Sequence, residues 1–522
     1  MRKTSRKRTN NMRVFSYVPY AFEGVLVNVE ADIRRAIPGI DMTGLAACAV
    51  REARERVRAA FRNSGFKFPV DRVLINLAPA GVKKDGAGLD LPIALAIMRA
   101  AGIVPSNDDI LVTGELELSG AVRQGRGVLP AVAAGIDAGI GSFIVPAANL
   151  SEALLLNAGD ICGVRNLEDA VAALLYRSRN GAFPARQERP VSEAGAGNVS
   201  SDENGGDFFD VRGQERYKRA MEIAAAGGHN LLVFGPPGAG KTMLARRVTS
   251  IMAPLTRDEA VDVTKLHSLA GALGNPFDGK NDVLMREPPF RSPHHSATME
   301  GILGGGKSVR PGEISLAHNG VLFLDEAPEF RLHVLQALRE PLEDKVITIS
   351  RAEGPVHLPA GFQLIMATNP CPCGKLGAAS AQTGGADDGC FCSATEIERY
   401  WKRFGGALLD RIELRVAVQS GVDGSASTGE TSAAIRTRVL QAVEAQRARF
   451  AGDTGIRRNA GMGAAAIRQF CTLTGTAEST FKKAVEKLNF SGRAYYGTLR
   501  VARTIADLEG VAAIESSHIL EA

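Results

Sequence analysis

The sequence predicts an α/β protein built on a parallel sheet, with a helical C-terminal region. Three observations carry that prediction. Gly235-Pro236-Pro237-Gly238-Ala239-Gly240-Lys241-Thr242 is a glycine-rich loop between the apolar run Asn230-Leu231-Leu232-Val233-Phe234 and the helical stretch Met243-Leu244-Ala245-Arg246-Arg247-Val248. A second apolar run, Val321-Leu322-Phe323-Leu324, ends in Asp325 and Glu326 about 80 residues later. Short apolar runs bounded by turn formers mark buried strands. Residues 12–178 alternate strand-like and helix-like segments, whereas residues 433–522 are helical by pattern.

A chain of 522 residues is too long for one core and implies two or three domains. No apolar run is long enough to span a bilayer. The net charge of +5 is concentrated at the start. Arg2, Lys3, Arg6, Lys7 and Arg8 fall within residues 1–11 without an acid, and the other 57 basic side chains balance 57 acidic ones. Charge therefore offers no argument for nucleic-acid binding by the folded body. The basic start lacks the apolar segment of a signal peptide and reads as a disordered arm, or else Met12 is the initiator. Seven cysteines, an odd number, suit a reducing cytoplasm better than a disulfide framework.

In chain order, Val25-Leu26-Val27-Asn28-Val29 and Arg72-Val73-Leu74-Ile75-Asn76-Leu77 read as strands. Between them, residues 46–61 place Ala49, Ala53, Val57 and Ala60 on one helical face and Arg and Glu on the other, a solvated charged face. Residues 179–207 turn to Ser, Gly, Asn, Pro and acids and form a linker. Residues 208–419 form the nucleotide-binding core. A second polar stretch, residues 420–432, precedes the helical domain at 433–522.

The loop at 235–242 has the composition a triphosphate requires. Its glycines let backbone N–H groups close on phosphate oxygens, and a helix N-terminus adds a favourable dipole. Lys241 is expected on the β/γ-phosphates and Thr242 on Mg²⁺, so ATP and Mg²⁺ are the expected cofactors. Gly301-Ile302-Leu303-Gly304-Gly305-Gly306-Lys307-Ser308 fits the same spacing and is rejected. The proline-rich stretch at 287–293 cannot be a central strand, and Pro311-Gly312 cuts off a helix.

Asp325 and Glu326 end a strand at the C-terminal edge of a parallel sheet, where ligands bind. Asp325 is expected to hold Mg²⁺, and Glu326 to orient the water that attacks the γ-phosphate. Gln363-Leu364-Ile365-Met366-Ala367-Thr368 is a further strand, and Asn369 at its end offers an amide to the γ-phosphate or the water. Arg411 sits in a short segment flanked by apolar residues. Arg493, in Ser491-Gly492-Arg493-Ala494, opens a helix from which a lid would reach the nucleotide.

These elements, in this order, resemble an AAA+ ATPase of the magnesium-chelatase-like clade. Pro289-Phe290-Arg291-Ser292-Pro293-His294-His295, the stretch from Arg310 to Gly320, and Asn369-Pro370-Cys371-Pro372-Cys373-Gly374 are similar to the ComM/YifB family. Val50-Arg51-Glu52-Ala53-Arg54-Glu55-Arg56-Val57 and Asn76-Leu77-Ala78-Pro79-Ala80 resemble that family's Lon-protease-like N-terminal domain. The resemblance implies Asn369 as sensor 1, Arg411 as an arginine finger on a neighbour's ATP, and Arg493 as sensor 2. It implies a homohexameric ring motor on single-stranded and branched DNA, a branch-migration helicase of recombination during natural transformation, with recombination proteins as partners and no membrane. The alternative is a remodelling ATPase like the magnesium-chelatase motor subunit or MoxR-type chaperones.

A Lon-type protease needs a Ser nucleophile activated by Lys. The corresponding stretch, Lys83-Lys84-Asp85-Gly86-Ala87-Gly88-Leu89-Asp90-Leu91-Pro92, holds no serine, which excludes peptide hydrolysis by that route. The domain reads as a scaffold, an oligomerisation element or a DNA-contacting collar. Lys83 and Lys84 are either phosphate contacts or solvated. Cys371, Cys373, Cys390 and Cys392 form two C-x-C pairs. Four reduced thiols satisfy tetrahedral Zn²⁺, although the usual structural spacing is C-x₂₋₄-C. Free or redox-active thiols are the other reading. Residues 344–358 read as a β-hairpin, which in this clade projects into a central pore. Lys345 and Arg351 are then candidate phosphate contacts on DNA.

Overall fold

The computed structural model describes residues 13–44, 48–81, 84, 87–105, 109–184, 206–273, 283–306, 309–351, 354–376, 389–419, 429–452 and 455–522. The basic arm, Lys83 and most of the 179–207 linker lie outside them. The chain divides into two units. One comprises Met1–Ala196, Ala260–Met285 and Gly305–Pro311; the other comprises Gly197–Glu259, Arg286–Gly304 and Gly312–Ala522. Two stretches within the 208–419 range thus group with the first unit, and the C-terminal helices group with the nucleotide-binding core.

Among the described residues the first unit holds a seven-stranded sheet. Its order is Gly39–Thr43, Arg72–Ala78, Val25–Arg34, Arg13–Val18, Leu111–Val112, Ser142–Pro146 and Asp160–Val164. Val25–Arg34 runs antiparallel to both neighbours, and the other pairings are parallel. Val27, Val29 and Ala31 are buried while the residues between them are not, so this strand shows the period of two of a sheet with one covered face. Helix Cys48–Asn63 buries Ala53, Val57, Ala60 and Phe61. Helix Asp90–Ala100 is buried almost throughout, as its apolar sequence requires. Its buried Asp90 is compensated by Arg56 at 2.7 and 3.0 Å. Within the same unit Ser268 donates to Glu152, and Gly127 N–H donates to the Ser268 carbonyl at 3.2 Å.

The second unit is built on five parallel strands. Their order is Phe290–Arg291, Val321–Leu324, Gln363–Thr368, Leu231–Phe234 and Leu414–Ala417. The inner strands are buried along nearly their whole length, which is why they read as uninterrupted apolar runs. Phe290–Arg291 is a two-residue edge strand between Pro289 and Pro293, a place where proline costs no ladder bond. Helices Glu215–Gly227, Ser432–Arg449 and Gly492–Leu508 contribute Ala224, Val439 and Val501 to the core that holds Leu231, Val233 and Phe323. Val346–Ile349 and Val356–Pro359 pair as an antiparallel hairpin. Among the described residues no helix is long and apolar enough to cross a membrane.

Candidate functional site

The phosphate loop leaves strand Leu231–Phe234 and enters helix Lys241–Arg246. Gly238 and Gly240 have φ of 76° and 78°, the left-handed region that side chains disfavour, so the tight return of the loop depends on glycine. Lys241 is buried. Its Nζ donates to the carbonyls of Gly235 at 2.6 Å and Pro236 at 2.9 Å, and to Asn369 Oδ1 at 3.2 Å. Burial pushes its pKa below the ordinary lysine value, while Asp325 and Glu326 pull the other way.

The strand order brings the remaining groups together. Gln363–Thr368 lies between the phosphate-loop strand and Val321–Leu324, so Asn369 stands between Lys241 and Asp325. Thr242 Oγ1 donates to Asp325 Oδ2 at 2.7 Å, a hydroxyl–carboxylate pair suited to a hard cation that takes oxygen ligands. Asp325 Oδ1 accepts from Glu326 N–H at 3.0 Å. Glu326 has φ of 47° and a side chain 62% exposed, which turns its carboxylate away from the sheet and towards solvent. The His295 imidazole lies 4.0 Å from that carboxylate and stacks against His294 at 4.1 Å between ring centroids. Nothing local to either segment places His295 there, because the contact spans more than 30 residues.

The two arginines lie elsewhere. Arg411 precedes strand Leu414–Ala417, and its carbonyl accepts from Asn230 Nδ2 at 2.9 Å. Both residues stand at the N-terminal edge of the sheet, whereas the phosphate loop leaves the C-terminal edge. Four strand residues separate the two edges, roughly 13 Å at about 3.3 Å per residue. The Arg411 guanidinium is held by the Ala407 carbonyl at 2.6 Å and by Glu343. Arg493, in the first turn of the helix capped by Ser491, lies 3.4 Å from the other Glu343 oxygen. Arg411 first, then Arg493 and Arg339, hold the Glu343 carboxyl below its ordinary range. Arg493 thus shares a counter-ion with Arg411.

Two further lysines are placed by the fold. Lys84 is fully buried and donates to the Pro79 carbonyl, so it is not a phosphate contact; burial lowers its pKa. Lys345 caps helix Arg339–Asp344 with φ of 57° and stands at the base of the hairpin, not its tip. A β-carbon on Gly461 would lie 3.4 Å from its ammonium, so the side chain turns towards the C-terminal helices. Arg351 stands beyond Ile349, at the turn end of the hairpin.

The four cysteines come together. Cys371 Sγ lies 3.3 Å from Cys373 Sγ and 3.6 Å from Cys390 Sγ, Cys373 and Cys390 are 3.6 Å apart, and all four sulfurs fall within 4.8 Å of one another. A tetrahedron with Zn–S bonds of about 2.3 Å has sulfurs roughly 3.8 Å apart, so the donor set fits that ion. Residues 377–388, between the pairs, lie outside the described residues.

A parallel sheet with this strand order, a glycine-rich phosphate loop, an acidic pair and an amide between them defines a P-loop domain of the AAA+ type. Residues 207–425 match the family described as magnesium chelatase, subunit ChlI; residues 29–149 match subunit ChlI of Mg-chelatase, and residues 429–522 its C-terminal part. Competence protein ComM of Haemophilus influenzae is 39% identical over 515 residues, covering 98% of this chain and 96% of that protein. YifB of Escherichia coli is 39% identical over 502 residues, covering 95% and 93%. Lon protease 2 of Bacillus subtilis is 28% identical over 193 residues, about a third of each chain (32% and 33%). The chain belongs to the ComM/YifB family of magnesium-chelatase-like proteins.

Proposed function

We propose that this chain is the ATP-hydrolysing subunit of a homohexameric ring that moves on DNA in the cytoplasm. Its reaction is that of a branch-migration helicase, extending the joint between an incoming single strand and a homologous duplex. The observation that carries the reading is the separation of catalytic groups. Lys241, Thr242, Asp325 and Asn369 meet at one edge of the sheet, while Arg411 and Arg493 meet on Glu343 at the other. Arginines so placed serve the triphosphate of the next copy. Each site then needs two subunits, and a head-to-tail interface closes into a ring.

In this reading the loop amides hold ATP, and Lys241 leaves its carbonyls for the β- and γ-phosphates. Thr242 and Asp325 would hold Mg²⁺, which neutralises charge on the phosphate oxygens when bound. Glu326 orients the attacking water, Asn369 senses the γ-phosphate, and Arg411 with Arg493 stabilises charge from the neighbour. One structural Zn²⁺ on the four thiols completes the metal complement. The first unit, Lon-like without a serine nucleophile, serves as scaffold or DNA collar, and residues 433–522 serve as the helical lid.

DNA as the track is supported by the name of the Haemophilus relative, a competence protein, and by Arg351 at the turn end of the hairpin. Recombination proteins are the partners this role implies. The second reading, a remodelling ATPase acting on a protein or metal-insertion complex, is supported by the magnesium-chelatase description of all three matched segments. ATP turnover measured with and without single-stranded and forked DNA separates the two. The motor reading expects stimulation by DNA; a rate indifferent to every DNA added would favour remodelling.

A further inference from the structure

The cysteine cluster adjoins the ATP-handling residues through Gly374. Cys371 and Cys373 lie two and four residues after Asn369, and the turn they form closes on Gly374, whose N–H donates to the Cys371 carbonyl at 3.0 Å. Gly374 lies against the phosphate loop: a β-carbon there would stand 3.0 Å from Pro237 Cδ and 3.9 Å from Asn369 Cγ. The second pair, Cys390 and Cys392, leads into helix Ala394–Lys402, which opens on a Ser393–Glu396 capping box. That helix grips the same strand end. Tyr400 Oη and Thr368 Oγ1 are 3.0 Å apart, Trp401 Nε1 donates to the Pro370 carbonyl at 3.1 Å, and the Trp401 ring meets Phe234 edge-on at 5.6 Å. Leu376 N–H points at Cys371 Sγ at 3.4 Å, as backbone donors do around a thiolate.

Resting on the zinc reading above, we infer that the zinc–tetrathiolate knot positions Asn369 beside the phosphate loop, so that ATP turnover depends on the metal although no cysteine touches the nucleotide. Binding breaks four S–H bonds and forms four S–Zn bonds, with the protons released to water and no change of oxidation state. The knot ties together two chain segments, residues 371–373 and 390–392. One segment carries the γ-phosphate sensor and the other the helix that braces it. Cys371, Cys373, Cys390 and Cys392 are thus positioning residues. Their effect reaches the reaction through the 3.2 Å contact between Lys241 and Asn369 and through Gly374 against Pro237.

The test uses the full chain. Elemental analysis is expected to give one zinc per chain, and Cys373→Ser with Cys392→Ser to remove it, while Cys162→Ser, outside the cluster, keeps it. Stripping zinc from the natural protein with an organomercurial, then restoring it with dithiothreitol and Zn²⁺, provides a reversible version. Loss of zinc is expected to lower kcat on the order of tenfold to a hundredfold, as small misplacements of positioned groups do, with binding of a fluorescent ATP analogue little changed. Zn²⁺ should restore kcat where dithiothreitol alone does not. Iron, or no metal, in the purified protein would overturn the zinc reading itself. Zinc present but removable without loss of kcat would overturn only the positioning role. Loss of analogue binding together with kcat would also overturn it, by showing that the thiols merely keep the domain folded.

Discussion

The Lys241 ammonium donates to two carbonyls of its own loop and to Asn369, so an incoming triphosphate exchanges neutral acceptors for anionic ones and need not order a free side chain. Lys241→Ala should therefore reduce turnover by at least about 10²-fold, the scale of removing one preorganised charge-stabilising donor. Glu326→Gln keeps the shape of the side chain but not the base. Turnover should fall on the order of 10²-fold while bound ATP and the assembled ring persist. Single-turnover hydrolysis and gel filtration with ATP check both, and a Glu326→Gln protein hydrolysing at the natural rate would refute the assignment. The residues of the loop and the acidic pair were legible in the sequence because their chemistry is local: strand, turn and side chain lie within a few positions. Glu343 and His295 were not, because a carboxylate on a short helix and a histidine after a proline acquire meaning only from distant partners.

At the scale of elements, tight connections decide where the site groups stand. His318, three residues before strand Val321–Leu324, accepts the Gly361 N–H at 2.9 Å and so ties the approach to that strand to the approach to Gln363–Thr368. Burial, with Arg457 adding to it, lowers its pKa from 6.5 to about 4. Between those values the unfolded chain binds a proton that the folded chain does not. Stability is thus complete above pH 6.5 and is lost as pH falls towards 4. From pH 6.5 to 5 this one group should cost up to about 2 kcal/mol, and His318→Asn should flatten that part of the profile. Urea midpoints followed by fluorescence of the single tryptophan, Trp401, measure it; identical acid slopes in the two proteins would contradict the argument. Element type was readable where the pattern was strong, as in the one-faced period of helix Cys48–Asn63 and the unbroken run of strand Gln363–Thr368, the latter found with its bounds intact. Phe290–Arg291 was not, since two residues between prolines carry no period.

For the whole molecule, the sheet of the second unit separates two half-sites. One edge holds Lys241, Thr242, Asp325 and Asn369, and the other holds Arg411 and Arg493 on the single Glu343 carboxylate, which balances only one of their two charges; in the proposed ring, the phosphates of another copy would meet the remainder. A nucleotide-binding core after an α/β region is the reading the sequence invites. The sequence did not reveal that Ala260–Met285 groups with the first unit, because Ser268 meeting Glu152 is a tertiary event without a local signal. The central claim is that adjoining copies complete each other's sites, and mixing two inactive proteins tests it most directly. Lys241→Ala lacks a working loop and Arg411→Ala lacks a working finger, so neither ring alone should hydrolyse ATP. In rings assembled from equal amounts of both, about a quarter of the interfaces pair an intact loop with an intact finger. The account predicts that ATPase activity reappears in the mixture, rising towards that fraction of the natural rate. Mixed rings, verified by native mass spectrometry, that stay as inactive as their parents would contradict it.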